Sequence, residues 1–344
     1  MDRKFIEISC YKSPSYSLEN RSVLGLYRLN GVRDYIDDGL PYLKECDTKY
    51  WKSYDFTKEP LNLNQGGVIL KNDNRFAIEG INPVLEWLHR HPPSTKPDFV
   101  SCQGNLLMLM CTPFEKRVPW SYSFVKYDGT IYIKSNDTPY FIQQRENLPL
   151  YRVKSKKWAE KFNEILSLPP NSDCCNVYNS NNSCEGVFSS SLDGIKLLYG
   201  AEVKAKNNSI NGPLKCEDFI DFRINPILQS RHLLTFSNTK LMWWWCQNYL
   251  TGLPETLCGF RDYDGLVNEI KSFKTADIPS MSGVNWRPND CLGFLRNLLR
   301  TIKEELMDKP NVVLNVSSDP PGTRIKIERS EKDISFVVGD KYRV

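Results

Sequence analysis

The sequence predicts a mixed α+β fold in which largely antiparallel sheets are flanked by helices, and three observations predict it. Four segments carry apolar residues at helical spacing, several shorter ones alternate at period two, and no internal repeat or change of composition marks a linker. All of 1–344 therefore reads as a single large domain.

Taken in order, residues 1–60 are polar and aromatic-rich with weak periodicity, which predicts short strands and loops laid over a larger core. Ile81, Val84, Leu85 and Leu88 have helical spacing over 81–91, with Pro83 near the start and Pro92-Pro93 as the stop. A strand-like run follows from Asp98. Residues 121–125 and 130–133 flank Tyr127-Asp128-Gly129, whose Asp-Gly pair suits a tight hairpin turn. Trp158, Phe162, Ile165 and Leu166 share one helical face between 154 and 168, before Pro169-Pro170. The stretch 171–191, rich in Ser, Asn and Cys, predicts a flexible loop.

Two strands are predicted at 197–205 and 217–224. A Trp-rich helix follows over 239–250, where Trp243-Trp244-Trp245 reads as core rather than as a stacking surface. A long amphipathic helix over 288–308 places Leu292, Leu295, Leu299, Ile302 and Leu306 in one stripe. Strands at 312–316, 324–328 and 334–338 close the chain, with Pro320-Pro321-Gly322 as a turn.

Composition bounds the function. With 40% hydrophobic and 12% aromatic residues in 344, a large core is affordable and disorder is excluded as the default. A net charge of +4 tolerates a polyanion partner without demanding one. No N-terminal apolar run and no uncharged apolar stretch of about 18 residues occurs, so a soluble intracellular protein without membrane contact is expected. The eleven Cys form no C-x-x-C pair, which argues for reduced structural thiols and against a zinc site.

The charges that could carry chemistry are Glu202 and Lys204, then Asp221 and Arg223, each pair two apart in an otherwise apolar strand. Period-two alternation puts the members of each pair on one face. Such a face either meets solvent or brings four charges together across neighbouring strands.

Several segments taken together resemble one family. They are Asp98-Phe99-Val100 through Gly104, Thr112-Pro113-Phe114-Glu115, Gly129-Thr130-Ile131-Tyr132-Ile133, the two Glu/Asp-x-basic strands, the run from Lys240 through Trp243-Trp244-Trp245 to Gln247, and Gly259-Phe260-Arg261. In this order, over roughly 80–275, they resemble the DXO-like decapping and exoribonuclease proteins. The resemblance implies a cleft beside the sheet that removes incomplete 5′ caps or digests RNA from its 5′ end. It also implies two divalent ions held by a Glu of a Lys-Phe-Glu helix, both acids of a Glu-x-Asp strand and the Glu of a Glu-x-Lys strand. Two neighbouring hard cations need clustered oxygen anions to offset their repulsion.

Set against that pattern, the helix motif here is Lys161-Phe162-Asn163, the first strand Glu202-Val203-Lys204 and the second Asp221-Phe222-Arg223. Gln247 matches the family's Gln, whereas the family's Arg before Gly is Gln103. Glu164 is turned about 100° from Asn163 on a helix. At an effective dielectric near 20, a unit charge about 4 Å away contributes about 4 kcal/mol, so the Lys204 ammonium should oppose a divalent ion. The expectation is a degenerate site with no catalytic residue, no metal and no cofactor, in which Lys204 and Arg223 occupy the ions' space and pair with Glu202 and Asp221.

Within the family the fit is to an insect germline member that lost its enzyme site. That likeness implies a nuclear interaction module which joins the Rhino and Deadlock proteins at piRNA-producing loci and shields nascent transcripts from 5′-end processing, splicing or termination. Two alternatives stand beside it: RNA 5′-end binding without cleavage, for which Lys204 and Arg223 are the candidates with Arg152, Lys154, Lys156 and Lys157 nearby, and an active metal-dependent nuclease.

Overall fold

The computed structural model of the chain describes residues 4–8, 15–70, 79–169, 177–207, 212–281, 286–320 and 322–343. In chain order the strands are β1 (Lys4–Glu7), β2 (Leu18–Leu29), β3 (Tyr35–Ile36), β4 (Glu45–Cys46), β5 (Leu61–Asn62), β6 (Val68–Ile69), β7 (Phe99–Cys102), β8 (Trp120–Tyr127), β9 (Thr130–Asn136), β10 (Tyr178–Asn179), β11 (Ser183–Leu192), β12 (Ile195–Val203), β13 (Ala205–Asn207), β14 (Phe219–Pro226), β15 (Glu255–Arg261), β16 (Leu266–Lys274), β17 (Val313–Ser318) and β18 (Arg324–Arg329). The helices that matter below are α1 (Asn82–Arg90), α2 (Gln103–Cys111), α3 (Leu150–Leu166), α4 (Leu241–Thr251) and α5 (Pro288–Glu305).

A ten-stranded mixed sheet runs β1-β18-β17-β8-β9-β7-β12-β11-β2-β3, and a six-stranded sheet runs β4-β13-β14-β15-β16-β5. In the large sheet β7 pairs in parallel with β12 and β9, while every other neighbouring pair of strands is antiparallel. The β8–β9 hairpin turns at Asp128 (φ 46°) and Gly129 (φ 82°), two successive left-handed residues that match the twist of the flanking strands.

Helices cover both faces of the sheet at β12, so its sequence is a nearly unbroken apolar run. Leu197, Tyr199, Ala201 and Val203 join the main core with α2, α4 and α5, while Leu198 faces the other way toward α1. Gly200 is where α1 comes closest: a Cβ there would lie 2.5 Å from Val84. α3 lies on the second sheet, Trp158, Phe162 and Leu166 packing with Ile220, Phe222 and Leu257.

Several expectations are corrected. β2 is a twelve-residue strand inside the large sheet, not loose cover, although its exposed run from Glu19 to Ser22 makes this part of 1–60 look polar. Of the expected loop, 171–176 lies outside the described residues, but 178–179 and 183–191 belong to β10 and β11. Ser183, Ser189, Ser190 and Ser191 suggest a loop; on β11 the hydroxyls of the first three find partners, as where Tyr199 donates to Ser190 Oγ. α2 went unrecognised because Leu106 to Cys111 are buried on every side, which erases the helical period. The structure also adds the β15–β16 hairpin. Residues 334–338 form a short 3₁₀ turn at Ile334–Phe336, whose Ile334, Val337 and Val338 are apolar because they cap Val125 and Val313. Trp244 and Trp245 are buried in the core.

Candidate functional site

β12 ends at Val203 in the large sheet and β13 begins at Ala205 in the second, so Lys204 is the single residue between the sheets at this crossing. Ala205 pairs with Ile220 on β14, which brings Lys204 alongside the stretch that begins at Asp221. The crossing opens a cleft of about 380 Å³, walled by Asn163 and Glu164 of α3, by Glu202 and Lys204, and by Lys44 with Tyr178.

Each cation closes on the carboxylate two residues before it on its own strand. Lys204 Nζ donates to Glu202 Oε1 at 2.6 Å, and Arg223 Nε donates to Asp221 Oδ2 at 2.7 Å. The second pair has the deeper acid: the Asp221 side chain is 3% exposed and takes a further bond from Thr256 Oγ1 at 3.5 Å. Arg223 reaches on to Gln247 Oε1 at 2.6 Å, and the Gln103 amide donates to the Gln247 carbonyl at 2.8 Å. Asn163 directs its amide to Glu160 Oε2 at 3.4 Å. The sequence-derived site residues thus fall into a cleft group, Asn163, Glu202 and Lys204, and a deeper group, Asp221, Arg223, Gln247 and Gln103.

Electrostatics in the cleft follow from this pairing. Burial pulls the Lys204 pKa down, yet the charges of Glu202 and Glu160 and the bond to Glu202 outweigh it and hold the ammonium above the ordinary lysine value. Lys44 is pushed the other way, first by burial and then by the charge of Lys204. Its Nζ donates to the Tyr178 hydroxyl at 3.2 Å and lies 4.4 Å from that ring's centroid.

The structure adds residues that no local motif announced. Lys44, Tyr178 and Arg28, whose guanidinium covers the Tyr42 ring at 3.8 Å, come from distant segments. Glu164 reaches the cleft wall despite its turn from Asn163, and Lys161, fully buried, bonds to it at 2.7 Å. Glu185 stands opposite Glu202 in the β11–β12 register and accepts from Ser183 Oγ at 2.7 Å. Arg33 grips Glu79 through Nε and Nη2 at 2.9 and 2.8 Å and donates to Ser183 Oγ at 3.0 Å. Conversely, Arg152 and Lys154 are not cleft residues: one bonds to Gln144 and the other lies over Trp158. Lys156 and Lys157 do not line the cleft either.

These residues do not fit a pair of hard divalent ions. An amide stands at 163 and an ammonium at 204, Glu202 and Asp221 each already hold a cation, and among the described residues no three His, Cys, Asp or Glu side chains form a group that could hold a metal. What the cleft offers instead is hydrogen bonding and fixed positive charge.

Comparison with known proteins gives a consistent picture. A family model described as RAI1-like PD-(D/E)XK nuclease matches residues 23–342. The decapping and exoribonuclease protein of Xenopus laevis is 27% identical over 269 residues, covering 72% of this chain and 67% of that protein. The decapping and exoribonuclease protein Rai1 of Drosophila melanogaster is 23% identical over 327 residues, 87% and 84% of the two chains. Among solved structures, Candida albicans Rai1 in complex with pU5 and Mn²⁺ superposes with a TM-score of 0.79 at 15% identity, covering 96% of this chain and 94% of that one. S. pombe Rai1 with 3′-FADP gives 0.74 at 18% identity, covering 96% and 100%.

Proposed function

The chain belongs to the RAI1-like PD-(D/E)XK nuclease family, and from that premise we propose that it is a member without catalysis, kept as a nuclear interaction module on nascent transcripts. One observation carries the reading: the Lys204 ammonium sits 2.6 Å from Glu202, at the position where the family resemblance calls for a second metal-binding carboxylate. A tethered cation there repels a divalent ion and neutralises the acid that would bind it. The relatives' names state decapping and exoribonuclease activity for those proteins. In this chain a cleft of about 380 Å³ is present, while two of the four ligand positions differ in charge from the pattern that the resemblance implies.

The likeness to the degenerate germline protein Cutoff supplies the rest of the proposal: association with Rhino and Deadlock at piRNA-producing loci, and protection of nascent transcripts from 5′-end processing, splicing or termination. The test has two arms. Purified protein is incubated with capped and 5′-monophosphate RNA in Mg²⁺ or Mn²⁺, and the RNA is expected to survive; metal-dependent degradation that Glu202→Gln abolishes would falsify the inactive reading. Tagged protein is then recovered from germline nuclei, and absence of both Rhino and Deadlock removes the partner assignment.

A second reading, retention of an RNA 5′ end without cleavage, is favoured by Arg28 and Lys44, cleft cations that have no ion-pair partner among the described residues. Binding of 5′-phosphorylated RNA that falls steeply with salt and is lost in Lys44→Glu would support it.

A further inference from the structure

The geometry points to a second site: we propose that the groove between the start of β2 and the loop joining α4 to β15 docks an acidic, amphipathic segment of a partner protein, whatever the cleft does. The groove encloses about 640 Å³. Its apolar wall is Leu253, Pro254 and Ala276, above a floor of Trp245 stacked on Tyr249 with ring centroids 4.6 Å apart. Arg21 and Arg28 are seven residues apart on β2, so the groove lies about 23 Å along that strand from the cleft.

The rim decides what the groove attracts. Arg21, Lys52 and Lys274 stand around it, against the single carboxylate of Glu255. Lys52 Nζ donates to Glu255 at 2.8 Å and Ser272 shares the same carboxylate, so that acid is engaged. Among the described residues neither Arg21 nor Lys274 has an ion-pair partner, which leaves the rim with an excess of two positive charges. Arg21 is also held in place before any partner arrives. Its guanidinium lies 4.8 Å from the Tyr249 ring centroid, and its Nη1 donates to the Tyr249 carbonyl at 3.0 Å. A fixed guanidinium with spare N–H donors beside an apolar trough suits a carboxylate flanked by an apolar side chain, because little side-chain freedom is lost on binding.

Nucleic acid would meet the same charges but not the same shelf. Tyr249 is already stacked by Trp245 and overlaid by the Arg21 guanidinium, contacts that a base seeking to stack on the ring would have to displace. That favours a protein segment over a single strand.

The experiment is fluorescence anisotropy on the full chain with three labelled probes: a peptide alternating Glu and Leu, its Lys and Leu counterpart, and a uridine oligonucleotide. The acidic peptide is expected to bind, to weaken with salt, and to lose at least tenfold in affinity on Arg21→Glu with Lys274→Glu, while Arg300→Glu on the distant helix leaves it unchanged. Circular dichroism checks the fold of the double variant, and Lys274→Glu alone, at an exposed position, repeats the test with a loss of at least threefold. The proposal is overturned if the acidic peptide does not bind, if either charge reversal leaves its affinity intact, if the basic peptide binds equally, or if the oligonucleotide displaces it.

Discussion

Glu185 and Glu202 face each other across β11 and β12, two carboxylates in register on neighbouring strands, and Arg33 lies close enough to feel both. Burial alone would weaken the guanidinium, but the bond to Glu79 and the charges of Glu185, Glu79 and Glu202 hold it above the ordinary arginine value. Directly opposed like charges destabilise a sheet, so the cation is part of what makes this register tenable.

Arg33→Met should therefore be costly. The Arg33 side chain is 5% exposed, and removing one partner of a buried network costs about 3–5 kcal/mol. Urea denaturation should show that loss, with Glu185→Gln restoring part of it; a change under about 1 kcal/mol would mean that water already compensates the acids.

Restoring carboxylates should create what the native cleft lacks. Asn163→Glu combined with Lys204→Asp is expected to make thermal stability depend on Mn²⁺, reaching about 2.7 kcal/mol when the metal is at 100 times its Kd. The native chain should show no such dependence in the same titration, and an equal response from both would remove Lys204 as the determinant.

Gly200→Ala tests the close approach of α1 to β12. A Cβ 2.5 Å from Val84 forces one element to move, an overpacking cost of about 1–3 kcal/mol. Val84→Ala in the same chain should recover part of it, so the two substitutions should be clearly non-additive in a denaturation cycle.

Acid should loosen the C-terminal segment through Glu86. Its carboxylate accepts from Lys341 and Arg90 and from the Tyr342 hydroxyl, and these bonds, that from Lys341 first, lower its pKa to about 2. A depressed carboxylate pKa contributes stability above the unfolded value near 4.5, which is lost as pH falls toward 2. Denaturation between pH 5 and 2 should show a slope that Glu86→Gln reduces.

Much of the fold was legible where one face of an element meets water. α5 and the β8–β9 hairpin announced themselves through stripe and turn, since burial on one side leaves a period in the sequence. α2 did not, because a helix buried all round has no polar face to mark its turns. At the site, Glu202, Lys204, Asp221 and Arg223 were visible as charges breaking apolar strands. Arg28, Lys44 and Tyr178 were not, because each is an ordinary surface residue type in its own segment and becomes a cleft wall only when the two sheets meet. Pairing was the other hidden quantity: alternation places Lys204 beside Glu202 without saying whether the ammonium turns to that acid or across to the next strand.

An ammonium carried on the backbone at the joint between two sheets differs from a bound ion in one practical respect. It cannot be chelated, diluted away or exchanged for a competing metal, and its concentration relative to Glu202 is fixed by covalent bonds. The Glu202–Lys204 pairing thereby needs no supply of divalent ions to form, and neither does the turn of backbone built around it.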